Sequence, residues 1–476
     1  MIKKLKHIIK KKTERGSVVL LVLVFTGVMT LLLGGTSNYV LTQHRAQLKK
    51  AELEFAVQIA EAGVDYYRWF LSHYPDDLQD DTGDVGPYEH EYSDPEGGAI
   101  GKFSLNITGN AQCGSIYSVD IESTGWTYNE PGIKRTVKAR YARPSVAEYA
   151  YIIDDNVWAG SDRSIKGKYH SNGGIRMDGT NDSLVTSAQE IWNCTSSFGC
   201  DSPYEVKDGV FGSGSGSALW SYPAEEIDFT NLTLDLVQMK TQAQASGIYL
   251  PVSTDLNSKG LGYNVIFKDD GTFDVYIVTK LGRVRAYKSD KGWVWNYESI
   301  KKRVFYNNYA IPTDCSLVFV EDDLWVEGMV EGKTTIVSAD LITPNVDTDV
   351  ILNWNILYND SDGSDGLLVV GENDVMIPLE SPDAMELNGI FVAQKGSFGR
   401  DYYNTGWPLY DRDFLKINGS IVSKGRVGTS WSCGGSFCSG YRTRINSYDR
   451  KLMTDPPPMT PFSDDEYRFI KWEEKQ

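Results

Sequence analysis

The chain has 476 residues, more than one small domain holds at roughly 100–200 residues each. Apolar residues make up 41% and charged residues 23%, a globular balance that excludes wholesale disorder. Sixty-four acids against 47 Lys and Arg give a formal net charge of −17, which argues against a nucleic-acid partner. Forty-five Gly, 28 Tyr and 12 Trp favour strands joined by turns, and five His leave few general bases or zinc ligands.

Residues 1–16 carry seven Lys or Arg against one acid, Glu14. No charge then occurs from Ser17 to Leu33, a run that just spans a bilayer core as a helix. A basic flank before an apolar run and an acidic body after it is the pattern of a cytoplasmic N-terminus and a translocated body. A cleaved secretory signal is disfavoured, because the apolar run is long and no A-x-A-like site follows it. A plain signal anchor stays open. No breaker appears between Ser37 and Ser72, and Leu48, Ala51, Phe55, Ile59, Ala62, Tyr66 and Trp69 recur in steps of four and three. That spacing predicts one apolar face of a helix continuous with the membrane run, roughly 80–85 Å long and stopped near Pro75.

A basic leader ending Arg15-Gly16, an apolar run directly after the glycine and an amphipathic extension resemble the class III signal of type IV pilins. Within the extension, Ala56-Val57-Gln58-Ile59-Ala60-Glu61-Ala62-Gly63-Val64 resembles the "AAEAG" segment of PilX-type minor pilins. The resemblance implies cleavage by prepilin peptidase between Gly16 and Ser17. It also implies partners among other pilins or pseudopilins, met through the helix. Two departures stand out. The mature chain would begin with Ser17 rather than Phe or Met, and its fifth residue would be Leu21 rather than the glutamate of major pilins. The family reading is a single-pass membrane protein that becomes a pilus or secretion-filament subunit at the cell surface. The alternative is a membrane-anchored protein that binds or processes surface polysaccharide.

The fold expected is α+β and mostly β. After the leader (1–16) and the helix (17–74), residues 75–148 contain alternating runs such as Phe103–Ile107, Tyr117–Ile121 and Thr136–Tyr141, read as a small antiparallel head on the helix. Beyond residue 149, Asn388-Gly389-Ile390-Phe391-Val392 recurs as Asn418-Gly419-Ser420-Ile421-Val422, with weaker echoes at Val326–Gly332 and Ser171–Ile175. Repeated glycine corners between short apolar runs suggest the rungs of a right-handed parallel β-helix. An antiparallel sandwich, whose hairpins also use Asn-Gly turns, is the competitor. First rungs are placed at 149–224 and the main solenoid at 314–455. Between them, at 225–313, stands an insertion with a helix over Thr230–Ser246 and a hairpin over Tyr263–Val278. Residues 456–476 are read as a tail that frays from Glu473.

Six Cys permit three disulfides in an exported protein. Cys194 with Cys200 and Cys433 with Cys438 are close enough for local pairing, which leaves Cys113 and Cys315 open; a zinc site lacks the C-x2-C spacing. Asn359–Gly366 looks like a calcium loop, but its sixth position from Asp360 is Asp365 rather than Gly, and a solvated turn is the simpler reading. Asp401, Asp411, Arg412 and Asp413 form the nearest approach to a carboxylate site. His170 is the one His beyond Pro144, so no Ser–His or Cys–His system is expected, and neither a cofactor nor catalysis is assigned. Tyr402, Tyr403 and Trp407 beside those acids are the expected surface contact for a ligand or glycan.

Overall fold

The computed structural model describes residues 15–75, 77–94, 97–463 and 466–475. The chain separates into two compact units. One holds the helix with residues up to 108, 120–139 and 471 onward; the other holds 109–119 and 140–470. Residues 1–14 of the expected leader lie outside the described residues.

In the first unit a single helix runs Arg15–His73, 59 residues without a break. Its apolar start, from Val18 to Val40, is exposed all round. There the hydroxyls of Thr26 and Thr30 donate to the Val22 and Thr26 carbonyls at 2.6 Å, so the polar atoms of the run are satisfied within the helix. The second half seats on a sheet ordered Tyr88–Asp94, Gly98–Gln112, Ser115–Thr127, Arg135–Ala142, Arg468–Lys475. The last of these strands corrects the expected frayed tail: Arg135 and Glu122 bind Glu474 and Lys475 across it.

The buried stripe of the helix is Ala56, Ile59, Ala60, Val64, Tyr67, Phe70 and Leu71. Of the stripe expected from sequence only Ile59 is fully buried; Phe55 and Trp69 are 46% and 57% exposed. Close approach decides the face. A side chain on Gly125 would stand 2.4 Å from the Ala56 carbonyl oxygen and 2.5 Å from the Ala60 nitrogen, and one on Gly63 would enter Phe103 and Ser123. Small residues on both partners let the backbones touch; Tyr67 and Phe70 are buried as well, while Phe55 and Trp69 turn outward.

The second unit is built from short strands paired in parallel. Asn388 and Gly389 stand in register with Asn418 and Gly419, so the repeat visible in sequence is a pair of neighbours in space. Both glycines have positive φ, +148° and +140°, where any side chain is strained. Strands progress from Ile248–Leu250 and Tyr263–Phe267 through Leu317–Val320 and Leu324–Val330, Lys333–Ser338 and Val350–Tyr358, Gly366–Gly371 and Val375–Met376, then Ala384–Ala393 and Phe398–Gly399, to Asp411–Ser423.

The order of the stack then departs from the order of the chain. Asp411–Ser423 pairs in parallel with Ser436–Ser447 along its first part and with Tyr149–Ile153 along its last. Ser436–Ser447 goes on to pair with Arg163–Lys166, and Tyr149–Ile153 with Lys168–Ser171. The first body strands therefore extend the stack beyond the last ones instead of starting it. From there residues 227–243 return along one face, covering a ladder of neighbours that runs Ile152, Val422, Val392, Val370, Val337, Phe319. Phe229, Leu232, Leu236, Met239 and Ala243 bury against it. The helix Leu236–Ser246 starts at Asp235, whose carboxylate accepts from the Gln238 N–H at 2.9 Å. The insertion expected at 225–313 is therefore corrected in part: its start is this return, and Ile248–Leu250 and Tyr263–Phe267 are strands of the stack itself. The expected hairpin forms, Tyr263–Phe267 pairing antiparallel with Phe273–Ile277.

Candidate functional site: an arginine and aromatic face on a β-ribbon

One element leaves the stack. Strands Thr272–Lys288 and Gly292–Ala310 pair antiparallel as a two-stranded ribbon. Alternation sets its two faces: Arg283-Val284-Arg285-Ala286-Tyr287 runs opposite Trp293-Val294-Trp295-Asn296-Tyr297, in the register Arg283↔Tyr297, Arg285↔Trp295, Tyr287↔Trp293. Gly292, at φ +70°, closes the turn.

The inner face seats on the stack. Val284 and Ala286 pack with Leu379 and Tyr403. The Tyr287 and Tyr402 backbones exchange hydrogen bonds at 2.9 and 3.1 Å. Beneath lies a buried polar network. The Tyr403 hydroxyl donates to Glu298 at 2.7 Å, and the Asn296 amide donates to Glu298 at 2.6 Å and also to Asp401. The Lys288 ammonium sits 3.2 Å from Asp374. The buried Arg400 guanidinium donates to the Ser381 hydroxyl and to the Pro378, Leu379 and Leu409 carbonyls. Burial, and then the charge of Glu298, push the Asp401 carboxyl up to about 7. Burial raises Glu298 as well. Desolvation would lower Lys288, but Asp401 and Asp374 overcome it and hold the ammonium charged. A cleft of about 80 Å³ opens beside this network, lined by Lys288, Asp374, Arg400, Asp401, Arg426 and Trp431.

The outer face is exposed. Trp293, Trp295 and Tyr297 are 45%, 49% and 55% accessible, and Arg283 and Arg285 project between them. The Arg283 guanidinium lies 4.0 Å from the Trp295 ring centre, and that of Arg285 lies 5.2 Å from Trp293. At the turn end Tyr287, Trp293, Tyr402 and Trp431 meet edge to face at 5.7–6.0 Å.

The residues singled out from sequence are distributed differently. Tyr402 joins this aromatic cluster. Tyr403 is fully buried beneath the ribbon, which corrects its reading as a surface contact, whereas Trp407 packs on the same cluster and is half-buried. Asp401 is buried, whereas Asp411 pairs outward with Arg442, so the expected acid group does not converge. His170 is enclosed, held by Thr186 and Asn172 at 2.9 Å and pushed down by burial. In the calcium-like loop, Asp365 accepts the Gly332 and Asp360 N–H groups and Asp362 accepts from Ser364, so these carboxylates serve the loop's own turns. Among the described residues no three His, Cys, Asp or Glu converge on a metal position. Disulfides join Cys194 to Cys200, Cys433 to Cys438 and Cys113 to Cys315. The last pair ties 109–119 to the stack.

No protein-family model matches the sequence, and no curated protein matches it. Among solved structures, the chain is similar to the competence-associated pilin ComZ from Thermus thermophilus. The identity is 12%, covering 89% of this chain and 98% of that one, with a TM-score of 0.30.

Proposed function

We propose that the protein is a membrane-anchored, PilX-like minor pilin or pseudopilin of a type IV pilus or related secretion filament, with a parallel β-helix body displayed outside the cell. The supporting observation is the helix. Its apolar half is long enough to cross a membrane and exposed on every side, and it continues without a break into a half that is seated on a sheet. Such an exposed half is at rest only in lipid or against neighbouring apolar helices. The basic leader before it supports a cytoplasmic N-terminus with the body on the far side. Partners are then the membrane, prepilin peptidase and other pilins. Leu21 offers no carboxylate to a neighbour's N-terminal amine in lipid, which suits a rare or terminal subunit. The body is assigned a structural and adhesive role without catalysis.

The test is N-terminal sequencing of the protein recovered from membranes of cells that carry a prepilin peptidase. Ser17 is expected as the first residue, and Gly16→Leu is expected to keep residues 1–16 and drop out of sheared filaments. A mature end elsewhere, or an unprocessed wild-type chain, would overturn the reading.

A further inference from the structure

We propose that the outer face of the ribbon is a binding site for a linear acidic polysaccharide, whose carboxylate or sulfate groups are taken by Arg283 and Arg285. The inference stands apart from the filament reading, because it uses only residues of the second unit.

Charge comes first. Between Lys280 and Arg303 eight Lys or Arg stand against Asp290 and Glu298 alone, in a chain whose acids outnumber its bases 64 to 47. Lys288, Lys301 and Arg303 are taken by Asp374, Glu380 and Glu327. Among the described residues Arg283 and Arg285 face no carboxylate, and Lys280 and Lys302 stand directly opposite each other in register. Like charges side by side repel unless an anion lies between or over them.

Geometry comes second. Arg283 and Arg285 are two residues apart on one strand, about 6.8 Å along the same face. Each guanidinium stands over a tryptophan ring, and among the described residues neither is drawn into an ion pair. Little side-chain entropy remains to be lost on binding, and a planar fork matches a carboxylate or sulfate in two bonds. The face is open to solvent along the strand, as an extended chain requires. Tyr297 and the Tyr287–Trp293–Tyr402 cluster flank the arginines with apolar surface for sugar rings.

Two other uses of this face are weaker. Single-stranded nucleic acid stacks its bases on open aromatic rings, and here the Arg283 and Arg285 guanidinium groups already compete for Trp295 and Trp293. A purely structural Arg–Trp ladder would be redundant, since Val284, Ala286, the Tyr287–Tyr402 backbone bonds and the Glu298 network already fix the ribbon from beneath.

The experiment is calorimetric titration of the full chain in detergent micelles with polygalacturonate, dextran sulfate, neutral dextran and an oligo(dT). Binding to one or both acidic polysaccharides is expected, weakening as salt is added, with none to neutral dextran. Which of the two binds identifies the group read, carboxylate or sulfate. R283Q/R285Q is expected to weaken that binding at least tenfold with an unchanged thermal melt. Unchanged affinity in that variant, equal binding of neutral dextran, or tighter binding of oligo(dT) overturns the proposal. Should the variant not fold, phenylglyoxal labelling of the wild type decides: polysaccharide must protect Arg283 and Arg285, and undiminished labelling refutes the site. The uncleaved Gly16→Leu protein is expected to bind as the wild type does, so failure of the filament reading leaves this result untouched.

Discussion

Replacing Asp401 with asparagine will stabilise the ribbon's seat increasingly as pH rises through neutrality. The Asp401 carboxyl is 4% exposed and stands near Glu298, and burial with that neighbouring charge pushes it up to about 7 from 3.8. In the window between those values the folded chain keeps a proton that the unfolded chain has released. Stability contributed by the protonated group is therefore full below the lower value and lost as pH climbs to the upper one. A tenfold change in proton affinity is worth about 1.4 kcal/mol, so the rise from 3.8 to about 7 sets an upper bound of about 4 kcal/mol. The attraction of Lys288 and the hydrogen bond from Asn296 are already included, since both oppose the rise.

Asparagine keeps the shape and an acceptor oxygen for the Asn296 amide, and it never ionises. The assay is thermal melting of Asp401→Asn and wild type, followed by tryptophan fluorescence from about pH 4 to about pH 8. The difference matters more than either curve, because Asp323 is also pushed to about 7 by burial and bends the wild-type profile. Subtraction cancels Asp323. The variant's advantage is expected to grow through the window by about 1–4 kcal/mol and level off above it. An advantage that is flat, or that shrinks as pH rises, would refute the account of the buried pair.

Gly125→Ala drives a side chain against the helix backbone at Ala56 and Ala60 and is expected to cost about 1–3 kcal/mol. Limited proteolysis should then open residues 77–139, whereas Gly132→Ala, with nothing within 4 Å, should leave them protected. Removing the Cys113–Cys315 bond, which joins residues 202 apart, should cost about 5 kcal/mol by loop entropy. Removing Cys433–Cys438, only 5 apart, should cost about 2 kcal/mol, and the two denaturant midpoints should separate in that order.

What can be read from sequence follows the range of each signal. Asn388-Gly389 and Asn418-Gly419 announce adjacent turns because the strain that demands glycine is local. Helix continuity from Arg15 to His73 is equally plain. The buried face is not. A hydropathy stripe favours Phe55 and Trp69, while the sheet selects Ala56, Ala60 and Gly63 for closeness, and closeness belongs to the partner. The ribbon's alternation, Arg283-Val284-Arg285-Ala286 against Trp293-Val294-Trp295-Asn296, stands in plain view and is signal enough to mark the hairpin. Which face lies outward depends on the 399–410 loop beneath it, and Tyr403 reads as exposed in sequence for the same reason.

The order of the stack is beyond sequence altogether, and it carries a consequence that can be measured. Tyr149–Ile153 is the first strand of the body in the chain, and a serial stack would place it at an edge with one row of N–H or C=O groups unpaired. Instead it lies between Asp411–Ser423 and Lys168–Ser171. The Asp154 N–H donates to the Ser423 carbonyl at 3.0 Å, and the Ile153 carbonyl accepts from Asn172 at 2.9 Å. Tyr151, Ile152 and Ile153 are all fully buried. Amide exchange reports such placement directly, because opening an interior strand requires separating the stack on both sides. In hydrogen-exchange mass spectrometry, peptides covering 149–153 are expected to be as slow as those covering 390–393 and 421–423. Ile248–Leu250, which begins the stack against Leu317–Val320, should exchange sooner. Fast exchange at 149–153 with slow exchange at 248–250 would restore the serial order and dismantle the return path assigned to 227–243.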